Sequence, residues 1–190
     1  MYELVEMPND IKIYDIAREA NYKEFMKMYK EDKEDNKVIY STLMDTVLIS
    51  ALFGEEPYDE RFKIVKFLVE NGVDVNLPTR AKKMNALHWF YYFGGRPDKD
   101  YLFAVTQLLV EHGVNLNVQD FNGAIPLYYA IGSINLLTSE MREIFKYLLE
   151  KGSDYTIKNK FGDSCLEVAE SLSWRHDFLD IVKEYEESKR

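Results

Sequence analysis

The chain contains the stretch Leu109-Val-Glu-His-Gly113-Val-Asn-Leu-Asn117, in which an amphipathic helix ends at a glycine. Near-copies of this stretch run from Leu68 to Asn76 and from Leu149 to Thr156. A glycine directly after a helix adopts a left-handed backbone at low cost. The three glycines lie 41 and 39 residues apart, at Gly72, Gly113 and Gly152. Self-similarity at a period of this size indicates a solenoid, in which each unit buries its apolar face against the next.

A second motif recurs in step with the first. Its copies begin in steps of 39, 40 and 39 residues, at Thr46, Asn85, Ile125 and Ser164. Together the two motifs resemble the ankyrin repeat, whose hallmarks are Thr-Pro-Leu-His-x-Ala at the start of a first helix and Leu-Leu-x-x-Gly-Ala-Asp-x-Asn at the end of a second. The resemblance covers residues 40–170. It implies an all-α, ankyrin-like helical solenoid of about five helix pairs with short hairpin loops and terminal caps.

The repeats are longer than the family period of about 33 residues. The surplus falls between the two helices of each unit, and each of these segments contains glycine, mostly with proline: residues 53–61, 91–101 and 132–140. Glycine and proline favour turns, so we predict lengthened helix-to-helix connections. We expect one repeat domain, with an N-terminal cap and acidic connector at 1–40, central repeats at 41–163 and a C-terminal capping helix pair at 164–190.

Composition indicates a folded chain, with 46% hydrophobic residues and five prolines. The single cysteine, Cys165, allows no internal disulfide, which favours a reducing compartment. The first residues resemble no secretory signal, and no apolar run has the length of a membrane span. We therefore expect a cytoplasmic protein with no membrane association.

The chemistry-bearing residues form no catalytic pattern. His88, His112 and His176 lie in three different repeats without metal-ligand spacing, so we expect no metal, no cofactor and no enzymatic activity. His88 occupies the motif histidine, which the resemblance makes a hydrogen-bonding brace of a turn. Cys165 occupies the motif proline position at a helix start, and we expect an inert thiol.

The resemblance implies that hairpin tips and the exposed side of the first helices form one concave binding surface. Aromatic residues at solvent-exposed positions are typical of protein interfaces, because they bury a large surface area on binding and have few rotatable bonds. The predicted partner-binding residues are Lys82, Lys83, Met84, Phe121, Asn122, Lys160, Phe161 and Asp163 at the tips, with Phe53, Tyr92, Phe93 and Tyr128 at the first helices.

Charge is unevenly distributed along the chain. Residues 1–60 hold fifteen acids and seven bases, whereas residues 61–190 hold eighteen acids and seventeen bases. An acidic N-terminal third repels nucleic acid and anionic lipid and speeds encounter with a basic protein.

The sequence therefore predicts a monomeric, non-catalytic module that binds another protein, basic in charge, and no nucleic acid. A bacterial immunity or antitoxin protein is the specific hypothesis. Two alternatives stay open. One is a small-molecule-binding or enzymatic domain with a pocket between the insertions, and the other is a viral or effector factor that binds a host protein.

Overall fold

The computed structural model describes residues 9–31, 46–54, 56–93 and 95–189, and every regular element in these ranges is helical. The all-α fold class is confirmed. The chain divides into two compact units, Met1–Asp74 and Val75–Arg190. The first unit contains α1 (Asn9–Arg18), α2 (Tyr22–Glu31), α3 (Val47–Leu52) and α4 (Tyr58–Glu70). Within it α1 packs on α3 and α2 packs on α4.

The second unit contains three further helix pairs and a short 3-10 helix. In chain order these are α5 (Ala86–Tyr92), α6 (Lys99–Glu111), α7 (Pro126–Gly132), α8 (Thr138–Glu150), α9 (Cys165–Ser171), the 3-10 helix (Ser173–Arg175) and α10 (Asp177–Ser188). The short helices α5, α7 and α9 pack in one row, and α6, α8 and α10 pack in a second row. The two rows bury the apolar stripes of their helices, which is the layer arrangement expected of stacked repeats.

The second sequence motif marks the helix starts. The side chains of Thr46, Asn85 and Ser164 accept the backbone N–H groups of Ile49, His88 and Leu166 at 3.1, 3.1 and 3.2 Å. Each therefore satisfies a donor that the first helical turn leaves without an intrahelical acceptor. The Ile125 side chain has no acceptor atom and so cannot cap α7. Pro126 occupies the first helical position, where a backbone N–H would have no intrahelical acceptor in any case.

The glycine motif ends the second helix of each pair. Gly113 has a φ of +79°, and its N–H donates to the carbonyl of Val110 at 3.0 Å. The following N–H, of Val114, donates to the carbonyl of Leu109 at 3.0 Å, which closes a Schellman-type end. Gly72 and Gly152 make the equivalent bonds. The predicted glycine turns are thus present in all three copies.

The last asparagine of the glycine motif joins consecutive repeats. Asn76 donates to the carbonyl of Gly113 at 2.8 Å and accepts the N–H of Asn115 at 2.7 Å. Asn117 makes the same pair of bonds, to the carbonyl of Gly152 at 2.9 Å and from the N–H of Asp154 at 2.8 Å. The motif asparagine therefore satisfies two backbone groups of the next glycine turn.

Three motif leucines and three motif alanines lie in the core, whereas the fourth leucine, Leu166, is half-buried in the last repeat. Leu48, Leu87 and Leu127 are at most 1% exposed, and the motif alanines are fully buried: Ala51, Ala130 and Ala169. Phe90, which replaces the alanine in the α5 repeat, is 7% exposed, so that repeat accommodates the larger ring inside the core.

The helix-to-helix connections are 53–57, 93–98 and 133–137, inside the segments predicted to hold the surplus residues. In the first unit, the guanidinium of Arg61 braces such a connection. It donates to the carbonyls of Ala51 at 3.0 Å and Phe53 at 2.6 Å, and to the carbonyl of Arg18 at the end of α1 at 2.9 Å. Carbonyls that have no helical partner are thereby satisfied in the interior.

In the second unit, Arg175 has the same role and is fully buried. Its Nε and Nη1 atoms donate to the carbonyls of Ile131 and Leu136, each at 2.8 Å, and Nη2 donates to the carbonyl of Ile134. Burial lowers the pKa of Arg175 to about 10, so the guanidinium stays charged at neutral pH. One side chain thus bonds to two carbonyls of the connection 133–137 and to one near the end of α7.

Candidate functional site

Three loops of the second unit each lead into the first helix of a helix pair, which is α5, α7 or α9. We call them finger 1 (76–84), finger 2 (117–124) and finger 3 (156–163). One polar residue with an acceptor side chain lies at the same place in each finger, at Thr79, Asp120 and Asn159, and is 3%, 5% and 8% exposed. These residues lie 41 and 39 positions apart, which is the spacing of the glycine turns.

These polar side chains close the finger turns. The Oδ1 atom of Asp120 accepts the N–H groups of Asn122 at 2.8 Å and Ala124 at 2.9 Å. The Oδ1 atom of Asn159 does the same for the two equivalent N–H groups of finger 3, at 2.8 and 3.0 Å. This role is not among those predicted from the sequence. The signal for it is the recurrence of a polar residue at steps of 41 and 39 residues, in step with the glycine turns. A buried acceptor that satisfies the turn fixes the conformation of each tip.

Neighbouring fingers are joined edge to edge through their backbones. The N–H of Phe121 donates to the carbonyl of Lys82 at 2.8 Å, and the N–H of Lys160 donates to the carbonyl of Asn122 at 2.9 Å. Gly123 allows this approach, since a Cβ at that position would lie 3.0 Å from the backbone nitrogen of Lys160. The positions of the three tips relative to one another are therefore set by main-chain contacts.

Two large apolar side chains project from this frame. Phe121 is 58% exposed and Phe161 is 78% exposed. The Nζ atom of Lys160 lies 4.4 Å from the centre of the Phe121 ring, a cation–π contact. We call these tip residues the finger ridge, in which Lys82 is half-buried and the others are exposed: Lys82, Lys83, Phe121, Asn122, Lys160 and Phe161.

Aromatic side chains of α5 and α7 adjoin the ridge. Lys82 connects the two, because its Nζ atom donates to the Tyr92 hydroxyl at 2.9 Å and lies 4.2 Å from the centre of that ring. The Tyr92 ring is 5.5 Å from that of Tyr129, and Trp89 is 4.6 Å from Phe93, which is 45% exposed. We call this set the aromatic floor: Trp89, Tyr92, Phe93, Tyr128 and Tyr129.

Eleven of the twelve predicted partner-binding residues belong to the second unit. The exception is Phe53, which lies in the first unit with the Arg18 guanidinium 5.7 Å from its ring centre. Tyr92, Phe93 and Tyr128 fall on the aromatic floor. Asp163 contributes its backbone N–H and carbonyl to the turn of finger 3 and is half-buried.

Met84 was predicted to lie on the exposed tip, and the structure places it in the core at 1% exposure. The reason is its position at the end of finger 1. Its N–H donates to the Thr79 hydroxyl at 3.1 Å, and its carbonyl accepts the Thr79 N–H at 2.8 Å. The chain turns inward at that point to enter α5, so Met84 is not part of the ridge.

His88 braces the frame, as the resemblance implied. Its Nε2 atom lies 3.0 Å from the carbonyl of Ala124 and therefore donates to it, and its Nδ1 atom lies 3.3 Å from the donor N–H of Asn85. The ring is fully buried, and this burial lowers the pKa of His88. The Nδ1 atom also lies 2.7 Å from the side-chain oxygen of Asn85, so the ring contacts both the backbone N–H and the side chain of that residue.

Cys165 is fully buried at the start of α9, and burial raises the pKa of its thiol. A thiol in this state is a poor nucleophile. Across the described ranges, histidine, cysteine, aspartate and glutamate side chains form no group of three that would hold a metal ion. In those same residues, no helix combines the length and apolar character needed to cross a membrane.

Comparison with known proteins gives one family match and several relatives. The family model described as ankyrin repeats in three copies matches residues 58–159. An ankyrin repeat protein of Acanthamoeba polyphaga mimivirus is 33% identical over 79 residues, which is 42% of this chain and 10% of that protein. An ankyrin repeat protein of Borreliella burgdorferi is 35% identical over 60 residues, which is 30% of this chain and 25% of that protein. The chain thus aligns with a quarter or less of the length of these two relatives.

Proposed function

The chain belongs to the ankyrin-repeat family, and from that premise we propose that it is a non-catalytic module that binds another protein through the finger ridge and the aromatic floor. Ankyrin repeats indicate a protein-interaction module. The observation that supports this particular surface is the exposure of Phe121 and Phe161 on a frame fixed by backbone bonds. Large exposed apolar side chains mark interaction sites when they form a patch, and Phe121 and Phe161 lie on neighbouring, bonded fingers.

The rigidity of the frame supports binding by a preformed surface. Each finger turn is closed by a buried acceptor, and main-chain bonds connect consecutive fingers. Such a surface loses little conformational entropy when a partner docks, so more of the contact energy appears as affinity. Phenylalanine also adds much buried area for two rotatable side-chain bonds.

The proposal is tested by site-specific photocrosslinking in cells that express the protein. A photoreactive phenylalanine analogue at Asn122, on the finger ridge, should capture a defined protein. The matched control places the analogue at Lys183, which is exposed on α10. Capture should be strong from Asn122, weak from Lys183, and lost when Phe121 and Phe161 are both alanine. Equal capture from both positions, or capture that survives the double alanine variant, would contradict the proposed surface.

The alternative of a pocket between the long connections gains no support from the connection 133–137. The volume beneath it is occupied by the Arg175 side chain, and the Thr138 hydroxyl donates to the Trp174 carbonyl at 2.6 Å. Side chains therefore fill the space that a ligand would need there. No observation favours an enzymatic function over protein binding.

The more specific hypotheses differ in the identity of the partner. A bacterial immunity or antitoxin protein would capture a toxin, and a viral or effector factor would capture a host protein. One of the two relatives described above is viral and one is bacterial, so they favour neither hypothesis. We retain the bacterial immunity protein as the first hypothesis. The identity of the captured protein, a toxin or a host protein, decides between the two hypotheses.

The acidic N-terminal third carries a separate proposal from sequence. Asp32, Glu34 and Asp35 lie outside the described residues. We propose that these acidic residues speed the encounter of this chain with a basic partner protein. We also propose that the chain is monomeric and cytoplasmic. Replacing them by asparagine and glutamine should slow association and reduce its salt dependence, while dissociation stays unchanged. Light scattering measures the molar mass in solution and so tests whether the chain is a monomer.

A further inference from the structure

We propose that the segment that docks on the finger ridge is acidic: a stretch of a partner protein in which aspartate or glutamate flanks apolar side chains. This inference rests on the proposed function and names the chemistry of the partner. It follows from the charge of the fingers, which is opposite to that of the whole chain.

The fingers are basic in an acidic protein. Residues 76–84, 117–124 and 156–163 contain five bases, Arg80, Lys82, Lys83, Lys158 and Lys160, and two acids, Asp120 and Asp163. Five minus two leaves a formal net charge of +3, whereas the full chain has a net charge of −9. The loops that carry the exposed phenylalanines are therefore more positive than the chain as a whole.

The two acids of the fingers do not neutralise the ridge lysines. Asp120 is 5% exposed, and its two oxygens already accept two backbone N–H groups and the Tyr129 hydroxyl, the last at 2.6 Å. Asp163 is half-buried in the turn of finger 3. Neither carboxylate forms an ion pair with a lysine of the described fingers.

Lys158 is paired, with its Nζ atom 3.1 Å from a carboxylate oxygen of Glu167. Among the ion pairs of the described residues, none includes Lys82, Lys83 or Lys160. Three ammonium groups thus lie on the ridge without a carboxylate from the described part of the chain. A partner carboxylate that docks beside them gains a charge-assisted contact and displaces no internal ion pair.

Two of these ammonium groups are held in place by aromatic rings. The Nζ atom of Lys160 lies over Phe121, and that of Lys82 lies over Tyr92 while donating to its hydroxyl. A lysine that is already positioned loses less side-chain entropy when it pairs with a carboxylate. Each of these two cations therefore lies beside an aromatic ring, which matches a segment that carries both acidic and apolar residues.

The same residues are poorly suited to a nucleic acid. The face of the Phe121 ring beneath Lys160 is occupied by the ammonium group, so a base cannot stack on that face. The overall charge of −9 also repels a polyanion at long range, whereas a short acidic segment interacts mainly with the nearby lysines. An acidic protein segment is therefore the occupant that the ridge favours. Its charge is opposite to that of the basic partner predicted from the N-terminal acids, and the two predictions concern different residues.

The test is selection of peptides from a phage-displayed library of random dodecapeptides on the immobilised full chain. Enriched peptides should be acidic and contain apolar residues, and a labelled enriched peptide should bind in solution by fluorescence anisotropy. The triple variant Lys82→Gln, Lys83→Gln and Lys160→Gln should weaken that binding by about tenfold or more and reduce its salt dependence. The matched control, Lys99→Gln, Lys151→Gln and Lys183→Gln, changes the net charge equally at exposed positions on the helix pairs and should retain the affinity.

Circular dichroism melting should give the same transition for both triple variants, which confirms that they fold. Enriched peptides that depend on Phe121 and Phe161 but not on the ridge lysines would overturn the acidic preference and leave the proposed function standing. A single-stranded oligonucleotide that binds as tightly as the best peptide, at the same lysines, would also overturn it. Enrichment of no peptide would count against the acidic preference and the proposed function together.

Discussion

The Nε2 atom of His88 lies 3.0 Å from the carbonyl oxygen of Ala124, so one side chain ties the start of α5 to the end of finger 2. The same residue receives the backbone N–H of Asn85 at its Nδ1 atom. The imidazole thus connects the first helix of one repeat with the loop that leads into the next. Because the ring is fully buried, its protonation state is coupled to folding.

We predict a pH-dependent stability that is specific to His88. Burial lowers the pKa of His88 below its ordinary value of 6.5, so the unfolded chain binds a proton more readily than the folded chain. The free energy of unfolding should therefore fall as the pH drops through 6.5 toward the folded-state pKa, with a slope of at most about 1.4 kcal/mol per pH unit. Urea denaturation at a series of pH values measures this.

The comparison that isolates His88 uses two variants. His88→Gln should be less stable at neutral pH and should lose this part of the pH dependence. His112→Gln, at an exposed helix end, should retain it. Equal pH profiles for wild type and His88→Gln would contradict the buried, neutral imidazole.

Gly123→Ala should destabilise the protein more than Gly113→Ala does. Both glycines have similar left-handed backbones, with φ of +77° and +79°, so both changes carry a backbone cost of roughly 1 kcal/mol. A Cβ at Gly113 meets nothing within 4 Å, whereas a Cβ at Gly123 lies 3.0 Å from the backbone nitrogen of Lys160. Urea midpoints of the two variants measure the difference. Equal midpoints would show that fingers 2 and 3 do not approach as closely as described.

Arg175→Met should cost about 3 kcal/mol or more, because it leaves three buried carbonyl groups without a donor while keeping a side chain of similar length. Arg142→Met is the matched control. Arg142 pairs at the surface with Glu184, and its removal should barely change the urea midpoint. A small effect of Arg175→Met would mean that water or relaxed backbone replaces the guanidinium.

Phe121→Ala and Phe161→Ala should separate binding from stability. The rings are 58% and 78% exposed, so their removal should leave the melting temperature nearly unchanged. Binding to the captured partner should weaken by about 2 kcal/mol for each, the scale of an interface hot spot. Surface plasmon resonance measures the affinity. Trp174→Ala, at a 48% exposed position outside the fingers, is the control and should bind normally. A large drop in melting temperature for Phe121→Ala would show that its ring supports the fold.

The Cys165 thiol should be unreactive in the folded protein. It is fully buried, and burial raises its pKa, so both access and thiolate content are low. A disulfide reagent with a chromogenic leaving group should give no rapid release from the native chain and one equivalent after unfolding in urea. Rapid release under native conditions would contradict this burial.

Several structural features follow from local sequence signals. A helix start depends on one capping side chain, and a helix end depends on one residue that tolerates a left-handed backbone. Thr46, Asn85 and Ser164 therefore identified helix starts correctly, and Gly113 identified a helix end, because each acts on its own neighbours in the chain. The fixed spacing of these signals was enough to predict a stack of helix pairs.

Burial and pairing between repeats depended instead on residues far apart in the chain. Met84 was expected at the surface and lies in the core, because the direction of the chain into α5 determines where its side chain points. Arg175 was overlooked, since its partners are carbonyls some forty residues earlier. Lys160 lies over Phe121 because the backbones of two fingers bond to each other. The sequence alone therefore determined the helices and their order, and only the tertiary structure decided which tip residues form one surface, since that depends on non-local contacts.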